Sequence, residues 1–133
     1  MGEEITTAND VFDMFYSSFQ DNFELPDTLL LQWLNKAIIR YNLETGNDIK
    51  FDKDLMEFDS QLDGKTVVLL GMLIKQYYQE REVSRVNKIV SMKGSSMSID
   101  GQGTTKKYAQ EELNFTIEQV NGMFAKIKPT AYC

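Results

Sequence analysis

Residues 64–90, GKTVVLLGMLIKQYYQEREVSRVNKIV, are the longest uninterrupted helical pattern in the chain, and their character changes halfway along. Val67 to Ile74 is apolar on every side; from Lys75 onward charge enters. A helix that is apolar all round has to be covered from several directions, so the first half reads as the central post of a helical domain. The second half is amphipathic, with Val83, Val86 and Val90 along one side and Arg81, Glu82, Arg85 and Lys88 along the other. At 1.5 Å rise per residue, about 24 helical residues reach roughly 36 Å, comparable to the diameter of a small domain. The charged half can therefore project past the core.

Upstream, Thr7 with Asp10 three residues on has the form of a helix start, a capping side chain followed by an acidic first turn. It predicts a first helix from about Ala8 to Gln20. Phe12, Phe15, Tyr16, Phe19 and Phe23 recur there at helical spacing. Such a stripe reads first as core packing and second as an exposed docking face. Pro26 then punctuates the chain, and Asp27 or Thr28 serves as N-cap of a second helix. Leu30, Trp33, Leu34, Ala37, Ile38 and Tyr41 form its buried side, and Gly46 closes it. Residues 47–63 are acidic and mixed, with Ile49, Phe51, Leu55, Met56 and Phe58 as scattered anchors. They read as an ordered connector with an extended piece and a short turn of helix.

Downstream of the central helix, residues 91–105, SMKGSSMSIDGQGTT, lose helical periodicity. They read as a loop or a β-hairpin arm, with Asp100 and Gly101 as a turn pair. A loop of that length inside a compact domain is uncommon unless it has a job, so Lys93, Ser96, Met97, Ile99, Asp100, Gly101 and Gly103 are contact candidates. Thr104 or Thr105 caps a last helix from about Lys106 to Ile127. Leu113, Ile117, Val120, Phe124 and Ile127 give it an apolar seam of near-heptad period. Gly122 marks a close helix crossing, and Pro129 ends the helix. Lys128 to Cys133 has too little apolar surface to fold alone and reads as a flexible tail. Together these signals predict an all-α fold, a bundle of four main helices forming one domain over residues 1–127.

Composition removes whole classes of chemistry. The chain of 133 residues has no histidine, so the commonest general base at neutral pH and the commonest metal ligand are both missing. Its one cysteine is Cys133, which excludes an intrachain disulfide and a Cys/His zinc site. A formal net charge of -6 argues against binding duplex nucleic acid through the whole surface. The N-terminal MGEEITTAND lacks the basic and apolar regions of a secretory signal, and no apolar run is long enough to span a bilayer.

Three motifs fail on inspection. Gly64-Lys65-Thr66 opens a helix as a phosphate-binding loop would, but that pattern needs a glycine where Asp59 stands and a hydrophobic strand before it. Asp59, Gln61, Asp63 and Gly64 mimic the first half of a calcium loop, yet its closing glutamate falls on Leu70. Gly101-Gln102-Gly103 lacks the third glycine and the parallel sheet of a dinucleotide site. No paired catalytic constellation is visible, and the chain reads as a non-enzyme without cofactor or metal. The basic set Arg81, Arg85, Lys88, Lys93, Lys106 and Lys107 flanks the loop at both ends. It is a solvated face or a surface for an acidic partner or passing phosphates.

The order of parts resembles the head-to-tail connector (adaptor) proteins of tailed bacteriophages. The residues that carry the resemblance are the aromatic first helix, the second helix LLLQWLNKAIIRY, the central helix ending YYQEREVSRVNKIV, the segment SMSIDGQGTTKK and the proline-broken tail. It spans nearly the whole chain and rests on patterns of helices and loops. The resemblance implies a helical bundle assembled as a ring, usually of about twelve copies, beneath the portal of the capsid. Such a ring extends the DNA channel and gives the next tail or stopper component a place to dock. On this reading the protein belongs to the virion, is made in the host cytoplasm and has no membrane partner. Its partners are the portal protein, neighbouring copies, the downstream tail protein and, non-specifically, packaged DNA. The resemblance places portal binding on Lys128, Pro129, Thr130, Ala131, Tyr132 and Cys133, and a loop contact on 93–105. Inter-subunit or channel-facing charges are expected at Arg81, Glu82, Arg85, Lys88, Lys106 and Lys107, with the aromatic first helix contributing to the opposite ring face. The alternative is a small intracellular helical regulator that binds a protein or nucleic acid as a dimer.

Overall fold

The computed structural model describes the backbone of residues 5–19, 23–93 and 100–127, and the side chains of these except 89–93 and 100–105. Four helices carry the fold: α1 (Ala8–Ser17), α2 (Asp27–Thr45), α3 (Gly64–Lys93) and α4 (Asp100–Ile127). Two short strands, β1 (Phe51–Asp52) and β2 (Glu57–Phe58), pair antiparallel between α2 and α3. The all-α bundle read from the sequence is the observed architecture.

The start of α1 follows its residues closely. The Asp10 amide donates to Thr7 Oγ1 at 3.3 Å while the Thr7 amide donates to the Asp10 carboxylate at 2.9 Å, a reciprocal capping box. The helix stops at Ser17, short of the expected Gln20. The Ser17 and Ser18 hydroxyls donate to the Met14 and Phe15 carbonyls, which competes with the helical ladder and loosens its last turn. In α2 the capping residue is Pro26, with no side-chain bond, and Asp27 is already helical. The missing proline N–H is no loss at that position, and the Asp27 carboxylate complements the positive end of the helix dipole. Gly46 closes α2 at φ 76, as expected of a left-handed cap.

The connector contains the extended piece but not the turn of helix. Phe51 pairs with Phe58 and Asp52 with Glu57, and the Asp54 and Leu55 amides donate back to the Asp52 carboxylate across the turn. Residues 6–8 stitch this hairpin to the bundle. Ala8 N donates to the Met56 carbonyl, Phe58 N to the Thr6 carbonyl, and Leu62 N to Thr6 Oγ1, all between 2.8 and 2.9 Å.

α3 is the central post. Leu69, Leu70, Leu73 and Ile74 are fully buried, covered by α1, α2 and α4 in turn. Phe12 and Phe15 of the aromatic stripe are buried against it; Phe19 and Phe23 pack half-buried on Tyr78, which also meets Trp33, and Tyr16 packs on Phe23. The stripe therefore packs mainly as core, with Tyr16, Phe19 and Phe23 only half-buried. The close helix crossing lies at Gly71, where a Cβ would stand 2.9 Å from Met14 Cγ, and not at the exposed Gly122, which has nothing within 4 Å. The seam of α4 is also shifted. Leu113, Thr116, Val120 and Phe124 are buried, whereas Ile117 and Ile127 are half-buried.

The expected loop or hairpin arm over 91–105 is corrected most. α3 continues to Lys93 and α4 begins at Asp100, so Asp100, Gly101 and Gly103 are helical and form no hairpin turn. Thr104 and Thr105 lie inside α4 and not at its start. Two glycines cost about 1 kcal/mol each in a helix, but adding residues to an existing helix needs no new nucleus. Ser96, Met97, Ile99 and the tail Lys128 to Cys133 lie outside the described residues.

Candidate interaction surface

α3 and α4 run antiparallel. Asp63 and Lys65 at the start of α3 border the same hollow as Met123, Lys126 and Ile127, while Lys75 and Gln79 border one with Tyr108 to Thr116. The main hydrophobic cluster takes its last α3 residue at Tyr77 and its first α4 residue at Val120. Beyond it, Val83 and Leu113 are buried apart from that cluster. The second half of α3 and the first part of α4 thus form a two-helix projection.

This projection has two chemically different sides. At 100° per residue, Arg81, Arg85 and Lys88 fall within about 60° of one another on α3. All three are exposed. Arg85 donates to Glu82 at 2.8 Å, leaving Arg81 outside every ion pair among the described residues. Glu82 is half-buried, so its sequence-level assignment to the exposed basic side holds only in part. Lys106 and Lys107 are exposed on α4, level with this half of α3.

The other side carries a cleft of about 500 Å³ among α1, α3 and α4. Ser18 and Phe19, just past the end of α1, form its rim, Lys75 and Gln79 its wall from α3, and Tyr108, Glu111, Glu112, Phe115 and Thr116 its wall from α4. Tyr108 and Phe115 are 62% and 60% exposed, unusual for rings of this size. Lys75 Nζ sits 5.4 Å from the Phe19 ring centroid, so its charge is partly engaged by that ring. Thr116 Oγ1 donates to the Glu112 carbonyl at 3.1 Å. Gln79 is 7% exposed, and its Oε1 is buried with no hydrogen-bond partner. An orphaned buried acceptor is costly; Asn87 Oδ1, farther along α3, is the other such atom among the described residues, and it does not line the cleft.

Apart from Phe19, a member of the aromatic stripe, none of these cleft residues is singled out as a site by the sequence. The available signal was the spacing of Tyr108 and Phe115, seven apart and off the apolar seam, which puts two rings on one face with no core behind it. Farther down α3, Tyr77 and Tyr78 both have their phenol pKa raised, chiefly by burial. Arg40 opposes the shift at Tyr77; at Tyr78 Glu82 adds to it and Arg85 and Arg81 oppose it. No cluster of three acidic or sulfur ligands able to hold a metal occurs among the described residues. No described helix is long and apolar enough to cross a membrane. No family model, curated protein or solved structure matches the chain.

Proposed function

We propose that this chain is a structural subunit of a head-to-tail connector ring in a tailed-phage virion, seated beneath the portal and serving no catalytic step. The observation that carries the reading is the projecting α3/α4 pair, with a basic strip on one side and an acidic, aromatic cleft on another. Two unlike faces are what a cyclic assembly of identical subunits requires, because each copy presents its head to the tail of the next. The overall negative charge is a second support. An acidic conduit repels phosphate and lets DNA slide through instead of adhering.

On this reading the tail from Lys128 to Cys133 binds the portal, Arg81, Arg85, Lys88, Lys106 and Lys107 face neighbouring copies, and the free end of the ring receives the next tail component. The test is imaging of particles assembled from the portal and this chain. A ring of copies under the portal is expected; a portal that stays bare refutes the reading. Removal of residues 129–133 is expected to abolish portal binding while the circular dichroism spectrum stays helical, and undiminished binding refutes the role given to the tail.

A further inference from the structure

We propose that the cleft among α1, α3 and α4 is the receptor for an arginine side chain of a second copy of this chain, and that Arg81 supplies it. The inference rests on the ring reading and names the contact that would close it. Gln79 is 93% removed from solvent, lines the cleft and holds an acceptor with no donor. The oxygen and nitrogen of a side-chain amide exchange by a half-turn, so a residue lining the cleft with an unpartnered amide can offer an acceptor to an incoming N–H. Glu111 and Glu112 add two carboxylates against the single Lys75, which leaves the lining one negative charge in excess.

Exposed Tyr108 and Phe115 add aromatic faces beside those carboxylates. A planar cation with several fixed donors matches all of this at once. A guanidinium stacks on a ring, pairs with a carboxylate and still has N–H groups left for an amide oxygen, where an ammonium does not stack.

The second copy is indicated by what lies across the same helix. Arg81 is two residues beyond Gln79, about 200° around α3, so donor and receptor occupy nearly opposite sides of one projection. Such an arrangement cannot be satisfied within one chain and repeats from copy to copy as a heterologous contact. Arg81 is exposed and outside every described ion pair, whereas Arg85 is held by Glu82.

The test is self-association of the full chain, followed by sedimentation velocity over a range of concentrations. Arg81→Glu and Glu112→Arg are each expected to weaken association about tenfold or more, and the double variant to restore it, because the exchange re-pairs the charges. Gln79→Leu is expected to weaken association while leaving the melting temperature unchanged or higher, since it removes an unpaired buried acceptor. A double variant as weak as the singles overturns the contact, as does a chain that stays monomeric at every concentration. A monomeric chain whose cleft binds an oligo-arginine peptide in a Glu112-dependent way assigns the cleft to a different protein, which also overturns it. Rings on the portal with no effect of the charge exchange sink this contact alone. Restored association with a bare portal sinks the connector reading alone.

Discussion

Tyr41 Oη and Thr66 Oγ1 lie 3.1 Å apart, both residues buried, and join the end of α2 to the first turn of α3. Tyr41 Oη also accepts from Asn47 Nδ2 at 3.2 Å, which leaves its own proton for Thr66. Its ring stands 6.4 Å from that of Phe124, so one side chain ties three helices at the end opposite the projection. Tyr41→Phe keeps the ring and strands the Thr66 hydroxyl, at an expected cost of about 1–2 kcal/mol in denaturant unfolding. Thr66→Val on top of it is expected to cost little more. Fully additive losses in this double-mutant cycle would show that the two hydroxyls do not interact.

The two described α-helical glycines away from helix ends separate cleanly. At Gly71 a Cβ meets Met14 Cγ at 2.9 Å, Met14 Cβ at 3.1 Å and the Phe15 amide nitrogen at 3.3 Å. Phe15 is fully buried, so its backbone cannot retreat without moving a core ring. Gly71→Ala is expected to destabilise by about 1–2 kcal/mol despite the better helix propensity of alanine. Gly122→Ala, exposed and in open space, is expected to stabilise by up to about 1 kcal/mol. Equal effects at both positions, read from urea midpoints, would mean that α1 does not cross α3 at Gly71.

The helices were legible because their signals are local and agree with one another: the Thr7/Asp10 box, the Gly46 cap, and an all-round apolar run in α3. The misplaced features depend on partners distant in sequence. Periodicity alone put Gly122 at a crossing, but which glycine is crossed depends on where α1 docks, and Met14 is 57 positions from Gly71. Poor helix formers around Gly101 and Gly103 read as a loop, whereas their helical state comes from continuity with the rest of α4. The cleft was hidden for a similar reason. Gln79, Glu112 and Phe115 are ordinary in their own helices and line one cleft only when α3 and α4 run side by side.

The seam of α4 gives a direct comparison. Val120 has 0% exposure, while Ile117, three residues before it, is only half-buried. Val120→Asp places an unpaired charge in the core and is expected to abolish cooperative folding. Ile117→Asp can turn its carboxylate to water and is expected to lose about 1–2 kcal/mol, retaining a cooperative melt by circular dichroism. The reverse order would put Ile117 inside and Val120 out.

Alkaline pH tests the burial of the α3 tyrosines. Tyr77 is 5% exposed, and Lys36 Nζ lies 4.4 Å from its ring centroid. Its phenol pKa is raised from 10.0, first by desolvation, with Arg40 opposing through its charge and a hydrogen bond and Glu80 reinforcing. A raised folded-state pKa means that the unfolded chain gives up this proton first. The native state then binds more protons than the unfolded one, and stability falls as pH rises. The contribution is whole below about pH 10 and is lost progressively from there up to the folded-state pKa. Tyr78 has the same sign, with burial first and Glu82 next. Thermal melts with tyrosinate absorbance are therefore expected to show unfolding and ionisation advancing together above about pH 10. Tyr77→Phe, which cannot ionise, is expected to flatten the fall. If both curves have the same slope, Tyr77 is open to solvent and the seating of Lys36 of α2 over its ring is not as described.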